Sequence, residues 1–138
     1  MELETENKLG ITEDSVVQDA VEMNFDGEVK EAGLYSAMAR QAQREGYPEM
    51  AEVFKRIAIE EVEHAARFAE LNGMISSSTK ENIEKMLEGE KMSNKAKKQA
   101  ADKAREEGLE AAADYFNESA KDEGRHARML EGLLERYF

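Results

Sequence analysis

Two Glu-x-x-His motifs hold both of the histidines in this 138-residue chain. Glu61 precedes His64 in "IEEVEHAARF", and Glu123 precedes His126 in "KDEGRHARML". Residues three apart on a helix lie on one face about a turn apart, so both side chains can reach one ion. The spacing therefore points to two helices that each offer a carboxylate and an imidazole to a metal.

The two motifs are parts of an ungapped tandem repeat. A shift of 62 positions brings the second motif onto the first, and it also pairs Glu28 with Glu90. Residues 22 to 71 and 84 to 133 share 14 identities over 50 positions, against roughly four expected by chance from this composition. Each half is therefore predicted to be one helical hairpin, and the histidines match because the hairpins match.

The repeat supplies four carboxylates and two imidazoles. The predicted metal ligands are Glu28, Glu61, His64, Glu90, Glu123 and His126. A ferritin-like four-helix bundle with a di-iron or di-manganese carboxylate site uses this set, with one Glu from each of two helices and a Glu-x-x-His from each of the other two. Oxygen and nitrogen donors without thiolate suit Fe or Mn, and Zn is a further possible occupant.

The elements that must position these residues are all helical. One Pro, nine Gly and abundant Ala, Glu, Lys, Leu and Met favour an all-α fold. Gly and Pro in "EGYP", Gly73 and Gly108 punctuate four helices, and Ser78 with Glu81 forms a capping box. The predicted organisation is a mobile segment 1–13, a hairpin 14–72, a hinge loop 73–79 and a hairpin 80–138. The large apolar side chains predicted to form the core are Met23, Phe25, Phe54, Ile57, Phe116, Leu130 and Leu133.

Charge and cysteine content exclude several classes of function. A net charge of -12 opposes binding to nucleic acid or to an anionic membrane. The absence of cysteine excludes disulfides, thiolate metal sites and cysteine nucleophiles. No basic leader and no apolar run of about 20 residues is evident, so the expected location is the cytoplasm, with no membrane partner.

At these residues the sequence resembles the rubrerythrins. The resemblance covers about residues 16 to 137, through "FDGEVKEAGLYSAMARQAQREGYPEMAEVFKRIAIEEVEHA" and then "LEGEKM" with "DEGRHARM". It implies a ferritin-like four-helix bundle whose non-haem di-iron centre reduces hydrogen peroxide to water, as in defence against oxidative stress. The six ligands match the family's ligands one by one, and the resemblance makes Glu61 and Glu123 the bridging carboxylates.

Two departures from the family limit the comparison. Typical rubrerythrins continue into an iron-thiolate rubredoxin domain, for which this chain has no cysteines, so electrons are expected from a separate rubredoxin or a flavoprotein. The family also has an extra Glu three residues after the second "GE" glutamate, where this chain has Ser93. The first half carries Glu31 at the equivalent position. Glu31 is either a substitute for that carboxylate or a solvated helix residue.

Tyr35 is a candidate partner for a ligand carboxylate. It lies seven residues after Glu28 on the same helix face, so its hydroxyl could orient a ligand, although a buried tyrosine satisfied elsewhere is the alternative. Its repeat equivalent is Lys97, and only one half has this support.

The resemblance therefore predicts a di-iron peroxidase that uses hydrogen peroxide and an external electron donor. A ferroxidase that uses O2 is the alternative enzyme. An iron-binding or iron-storage protein without turnover is the non-enzymatic alternative.

The length of the hinge loop limits how the two hairpins can assemble. Parallel second and third helices, as in ferritin-like bundles, require the loop to cross about 31 Å along the bundle and roughly 10 Å sideways. Eight residue steps span at most about 29 Å. The chain is then either an up-down-up-down monomer or a homodimer in which hairpins are exchanged. Rubrerythrins with a short connection resemble the second case, and we predict a domain-swapped dimer in which each site takes one hairpin's ligands from each chain.

Overall fold

A computed structural model of the protein describes residues 6 to 138. This part of the chain contains four helices and no strand: α1 (Gln18–Arg44), α2 (Pro48–Leu71), α3 (Thr79–Glu106) and α4 (Glu110–Tyr137). The all-α prediction is confirmed. No helix within these residues combines the length and apolar character that crossing a bilayer requires.

Glycines end α1, α2 and α3 in the same way. Gly46, Gly73 and Gly108 have φ values of 85°, 60° and 76°, a region that only glycine enters without strain. In each case the residue after the glycine donates its N–H to a carbonyl five residues back, as from Tyr47 to Ala42 at 2.8 Å. The Ser78 hydroxyl accepts a hydrogen bond from the Glu81 N–H at 3.3 Å, which confirms that Ser78 caps α3.

The chain divides into two compact units between Ser77 and Ser78. Each unit is a helical hairpin: α1 packs against α2 in the first, and α3 packs against α4 in the second. The division falls inside the predicted hinge loop, and the segment that joins α2 to α3 comprises residues 72 to 78.

Alanine forms the contact between the helices of each hairpin. On α2 and α4 the buried alanines recur every seven residues, which places them on one face of the helix. The first hairpin buries Ala39, Ala42, Ala51, Ala58 and Ala65, and the second buries their repeat equivalents Ala101, Ala104, Ala113, Ala120 and Ala127. Because a methyl group is small, the two backbones approach closely, and the ligand-bearing residues beside this contact are brought near one another.

The prediction that large apolar side chains form the core is wrong for the individual hairpin. Met23 is 75% exposed, Phe116 and Leu133 are also exposed, and the other four are only half-buried. A hairpin has a single interface, and alanine occupies it, so larger side chains lie on the remaining faces. Among the large aliphatic residues between positions 6 and 138, only Val21, Ile83 and Leu87 are buried.

The segment before α1 turns back onto the end of α2. The Gly10 N–H donates to the Glu70 carbonyl at 2.8 Å, and the Thr12 N–H donates to the Leu71 carbonyl at 3.0 Å. Helix α1 therefore begins at Gln18 rather than near residue 14. Of the predicted mobile segment 1–13, residues 1 to 5 lie outside the described residues. The mobility of residues 6 to 13 stays a prediction. The hydrogen bonds of Gly10 and Thr12 to the end of α2 argue against it for residues 10 to 13.

Candidate metal centre

The first hairpin brings three predicted ligands together. Glu28 lies on α1, and Glu61 and His64 lie one turn apart on α2. One oxygen or nitrogen atom from each lies within 4.8 Å of the other two. His64 Nδ1 is 3.3 Å from Glu61 Oε2 and 3.6 Å from Glu28 Oε2. The imidazole nitrogen and both carboxylates thus face a common point.

The second hairpin repeats the arrangement with Glu90 on α3 and Glu123 and His126 on α4. His126 Nδ1 is 3.4 Å from Glu90 Oε2 and 3.8 Å from Glu123 Oε2. All six predicted ligands therefore fall into two clusters of the same composition and with the same histidine nitrogen turned inward.

Helix geometry explains why these side chains meet. Glu61 lies between Ala58 and Ala65, two of the alanines at the contact with α1, so its carboxylate emerges beside that contact. Glu123 has the same position relative to Ala120 and Ala127. The repeat of the alanines therefore also repeats the two clusters.

Burial tests whether these clusters suit a cation. The four carboxylate side chains are between 15% and 18% exposed, whereas the side chains of His64 and His126 are 54% and 44% exposed. In each cluster one buried carboxylate oxygen, Glu28 Oε2 or Glu90 Oε2, has no hydrogen-bond donor. A buried oxygen without a partner is costly unless a cation or donor compensates it. The same orphaned oxygen in both clusters fits a metal ion coordinated by carboxylate.

Charge in the second cluster is unevenly distributed. A hydrogen bond to Glu123, burial and the negative charge of Glu123 raise the pKa of Glu90 above its ordinary value. The same hydrogen bond and the ammonium group of Lys97 lower the pKa of Glu123. As the pH falls, Glu90 therefore takes up a proton before Glu123 does.

Lys97 is a residue that the sequence alone did not single out as functional. Its Nζ donates a hydrogen bond to Glu123 Oε1, and its side chain is 28% exposed. The repeat comparison treated it only as the position where the second half lacks a tyrosine. A lysine two turns after a predicted ligand is the signal that could have found it, because Lys97 lies seven residues after Glu90.

Tyr35 has a different environment from Lys97. Its ring packs against Phe54 with centroids 6.2 Å apart and planes tilted by 41°. Within residues 6 to 138 its hydroxyl makes no hydrogen bond to Glu28 or Glu61. A role for Tyr35 in orienting a ligand stays a prediction.

Glu31 lies beside the first cluster. It is exposed and lines a cavity of about 210 Å³ together with Met23, Asn24, Gly27 and Glu28. Its repeat equivalent, Ser93, is half-buried. Glu31 is therefore close to a predicted ligand, and its function as a metal ligand stays a prediction.

Comparison with known proteins shows the family. The sequence model described as rubrerythrin matches residues 19 to 134. The chain belongs to the rubrerythrin family. This confirms the resemblance seen in the motifs, and the ferritin-like four-helix fold agrees with the four helices and with the absence of strands in the described residues.

Three relatives illustrate how the family is related to this chain. An uncharacterized protein of Methanocaldococcus jannaschii is 59% identical over 138 residues, which is 100% of this chain and 98% of that protein. Reverse rubrerythrin-1 of Clostridium acetobutylicum is 46% identical over 136 residues, covering 96% of this chain and 75% of the relative. Rubrerythrin of Porphyromonas gingivalis is 34% identical over 125 residues, covering 81% and 62%. Rubrerythrin-family membership indicates a di-iron oxidoreductase, and the two carboxylate–histidine clusters are groups that could bind its metal.

Proposed function

We propose that the protein is a di-iron peroxidase that reduces hydrogen peroxide to water with electrons from an external donor, such as a rubredoxin or a flavoprotein. One observation supports it most strongly: two clusters of identical composition each leave one buried carboxylate oxygen without a donor. Family membership supplies the reaction class. When bound, two ferrous ions supply the two electrons that, with two protons, convert one hydrogen peroxide molecule into two water molecules.

The two clusters hold the ions in this proposal. Glu28 with His64, and Glu90 with His126, would each hold one ion, and Glu61 and Glu123 would be shared between the two. The four carboxylates together carry four negative charges, which match two divalent cations when both imidazoles are neutral. The inward Nδ1 of each histidine would be the ligand atom, because it lies within 4 Å of carboxylate oxygens in both hairpins.

We further propose that the complete site forms in a domain-swapped homodimer. The observed ends of α2 and α3 lie about 10 residues after Glu61 and about 11 residues before Glu90, which is about 31 Å of helix in all. The segment from Leu71 to Thr79 spans at most about 29 Å when fully extended. It is too short to run the length of a bundle and also cross sideways between parallel helices.

Exposed apolar side chains on the ligand-bearing faces support the same assembly. Met50 lies eleven residues before Glu61, and Met86 lies four residues before Glu90, so each shares a face with its ligand. These two side chains are 54% and 56% exposed, and Leu133, seven residues after His126, is also exposed. Faces that combine large apolar groups with half of a metal site need a complementary hairpin to cover them.

Reoxidation of the ferrous protein tests the proposed activity. Protein produced in iron-rich medium is analysed for metal, reduced without oxygen, and mixed with hydrogen peroxide or O2 in a stopped-flow instrument. Peroxide should reoxidise the iron much faster than O2. Oxidation by O2 at an equal or higher rate would instead support a ferroxidase, and slow reaction with both would support iron binding without turnover.

A further inference from the structure

The second hairpin has a lysine beside its ligand cluster, at a position where the first hairpin has a tyrosine. Lys97 pairs with Glu123, one of the carboxylates proposed to serve both metals, and its side chain is half-buried. The equivalent residue of the first hairpin is Tyr35, which is neutral and packs against Phe54. The two clusters therefore have the same ligands but different surroundings.

The charge of Lys97 matters because the ligand set is already balanced. Four carboxylates neutralise two ferrous ions, so an additional ammonium group leaves the filled site with one excess positive charge. Before metal binds, the same ammonium group offsets the repulsion between Glu90 and Glu123, whose carboxyl groups are close neighbours. Lys97 thus stabilises the metal-free hairpin and opposes the arrival of more positive charge.

We propose that Lys97 is a positioning residue that holds the Glu123 carboxylate and serves as an internal counter-cation, so that it lowers the affinity of the site for divalent metal and raises the reduction potential of the di-iron centre. This inference rests on the proposed function, since it assumes that Glu123 is a ligand. It assigns Lys97 a role in keeping the centre in its reduced state, which is the state that reacts with peroxide.

The expected size of the effect follows from Coulomb's law. A unit charge about 6 Å from a divalent ion changes the binding constant by about tenfold even at the dielectric constant of water. Oxidation adds further positive charge to the site, and this charge is also repelled by Lys97. The electrostatic effect is opposed by the loss of order that follows when any partner of a ligand is removed, which typically weakens metal binding. A variant with the neutral residue that already occupies the equivalent position in the other hairpin limits this loss of order and so separates the two effects.

Lys97→Tyr is that variant, because it places in the second hairpin the residue that the first hairpin has. Phe116 is the repeat equivalent of Phe54, so the new ring has the same neighbour on which to pack. The tyrosine removes the positive charge, and in the first hairpin the same residue packs against Phe54 without a hydrogen bond to Glu28 or Glu61. Lys97→Arg retains the charge, and Lys98→Tyr makes the same substitution at an exposed neighbouring position.

Metal-free protein is titrated with Co2+ and followed by calorimetry and visible absorption. Lys97→Tyr should bind Co2+ about tenfold more tightly than the wild type, while Lys97→Arg and Lys98→Tyr should remain within about twofold. The metal-free Lys97→Tyr protein should also melt at a lower temperature, because Glu90 and Glu123 lose their counter-cation. In the iron-loaded protein its midpoint potential should be more negative than that of Lys98→Tyr.

Weaker or unchanged Co2+ binding by Lys97→Tyr would overturn the counter-cation role, as would an unchanged midpoint potential. Either result leaves the proposed peroxidase function intact if the wild type binds two Co2+ ions per set of six ligands. A wild type that binds no Co2+ pair would instead contradict the proposed function itself, so the two failures are distinguishable.

Discussion

Asn94 lies against Gly124 where α3 crosses α4. Its side-chain amide donates to the Ala120 carbonyl at 2.5 Å, and a Cβ added to Gly124 would come within 3.3 Å of Asn94 Nδ2. The repeat equivalents in the first hairpin are Ala32 and Val62. One hairpin therefore pairs a small residue on the first helix with a large one on the second, and the other hairpin reverses the sizes.

The contact between Asn94 and Gly124 predicts that substitutions at these two positions have coupled effects on stability. Gly124→Ala gains about 1 kcal/mol of helix propensity, but it displaces an amide that cannot move without losing its hydrogen bond to Ala120. We expect the single variant to be no more stable than the wild type. Asn94→Ala with Gly124→Ala should be more stable than Gly124→Ala alone by about 1 kcal/mol, as measured by urea unfolding of metal-free protein. Simple additivity of the two substitutions would contradict the proposed contact.

The bridging assignment predicts loss of the metal pair. Glu61→Ala or Glu123→Ala removes a carboxylate that serves both ions, so each variant should retain at most one ion per site in metal analysis. Glu60→Ala is the matched control, because Glu60 is the neighbouring exposed glutamate and pairs with Arg56 at 2.9 Å. Two ions bound at wild-type affinity in Glu61→Ala would rule out this ligand assignment.

Much of this architecture could be predicted from the sequence, because the helix ends and the spacing of the ligands depend on residues close together in the chain. Gly46 and Gly108 end helices through their own backbone conformation, and the 62-residue shift between His64 and His126 follows from the repeat. The ligand clusters could be predicted for the same reason, since helical spacing places a Glu and a His on one face. The start of α1 was less predictable: Asp14 adopts a φ of 57°, and the segment around it hydrogen-bonds to the distant end of α2.

The nature of the hairpin contact and the role of Lys97 depend on neighbours that sequence spacing does not reveal. Phe54 and Ala58 both have the spacing of a buried residue, but Ala58 is buried in the contact between the helices, whereas Phe54 packs against the alanine cluster and is only partly buried. In the repeat, Lys97 is similarly only the position at which the second half has no equivalent of Tyr35. Its ammonium group pairs with Glu123 on the adjacent helix, a contact between helices that spacing along one helix does not predict.

Glu31 is expected to affect turnover more than binding. It shares a cavity with Glu28 but lies outside the two clusters, so Glu31→Ala should leave binding of ferrous ions within about threefold while slowing peroxide-driven reoxidation by about tenfold. Glu22→Ala, an exposed change on the same helix, is the control. Adding Ser93→Glu to Glu31→Ala should recover part of the rate, since it restores the family's carboxylate. A rate unchanged by Glu31→Ala would identify Glu31 as a solvated surface residue.

The domain-swapped assembly predicts complementation between two inactive proteins. One variant carries Glu28→Ala with His64→Ala, and the other carries Glu90→Ala with His126→Ala. Each alone should form a dimer that lacks two of the six ligands at both sites. When the two are unfolded together and refolded, a swapped heterodimer combines both damaged hairpins in one site and both intact hairpins in the other. Such a mixture should therefore regain paired-metal binding in about half of the sites of each heterodimer.

Chains that complete their own site cannot regain paired-metal binding in the mixture, because every chain keeps one damaged hairpin. Metal analysis and peroxide-driven reoxidation of the mixture, with each variant refolded alone as control, distinguish the two assemblies, and light scattering that finds a metal-loaded monomer would contradict the swap directly.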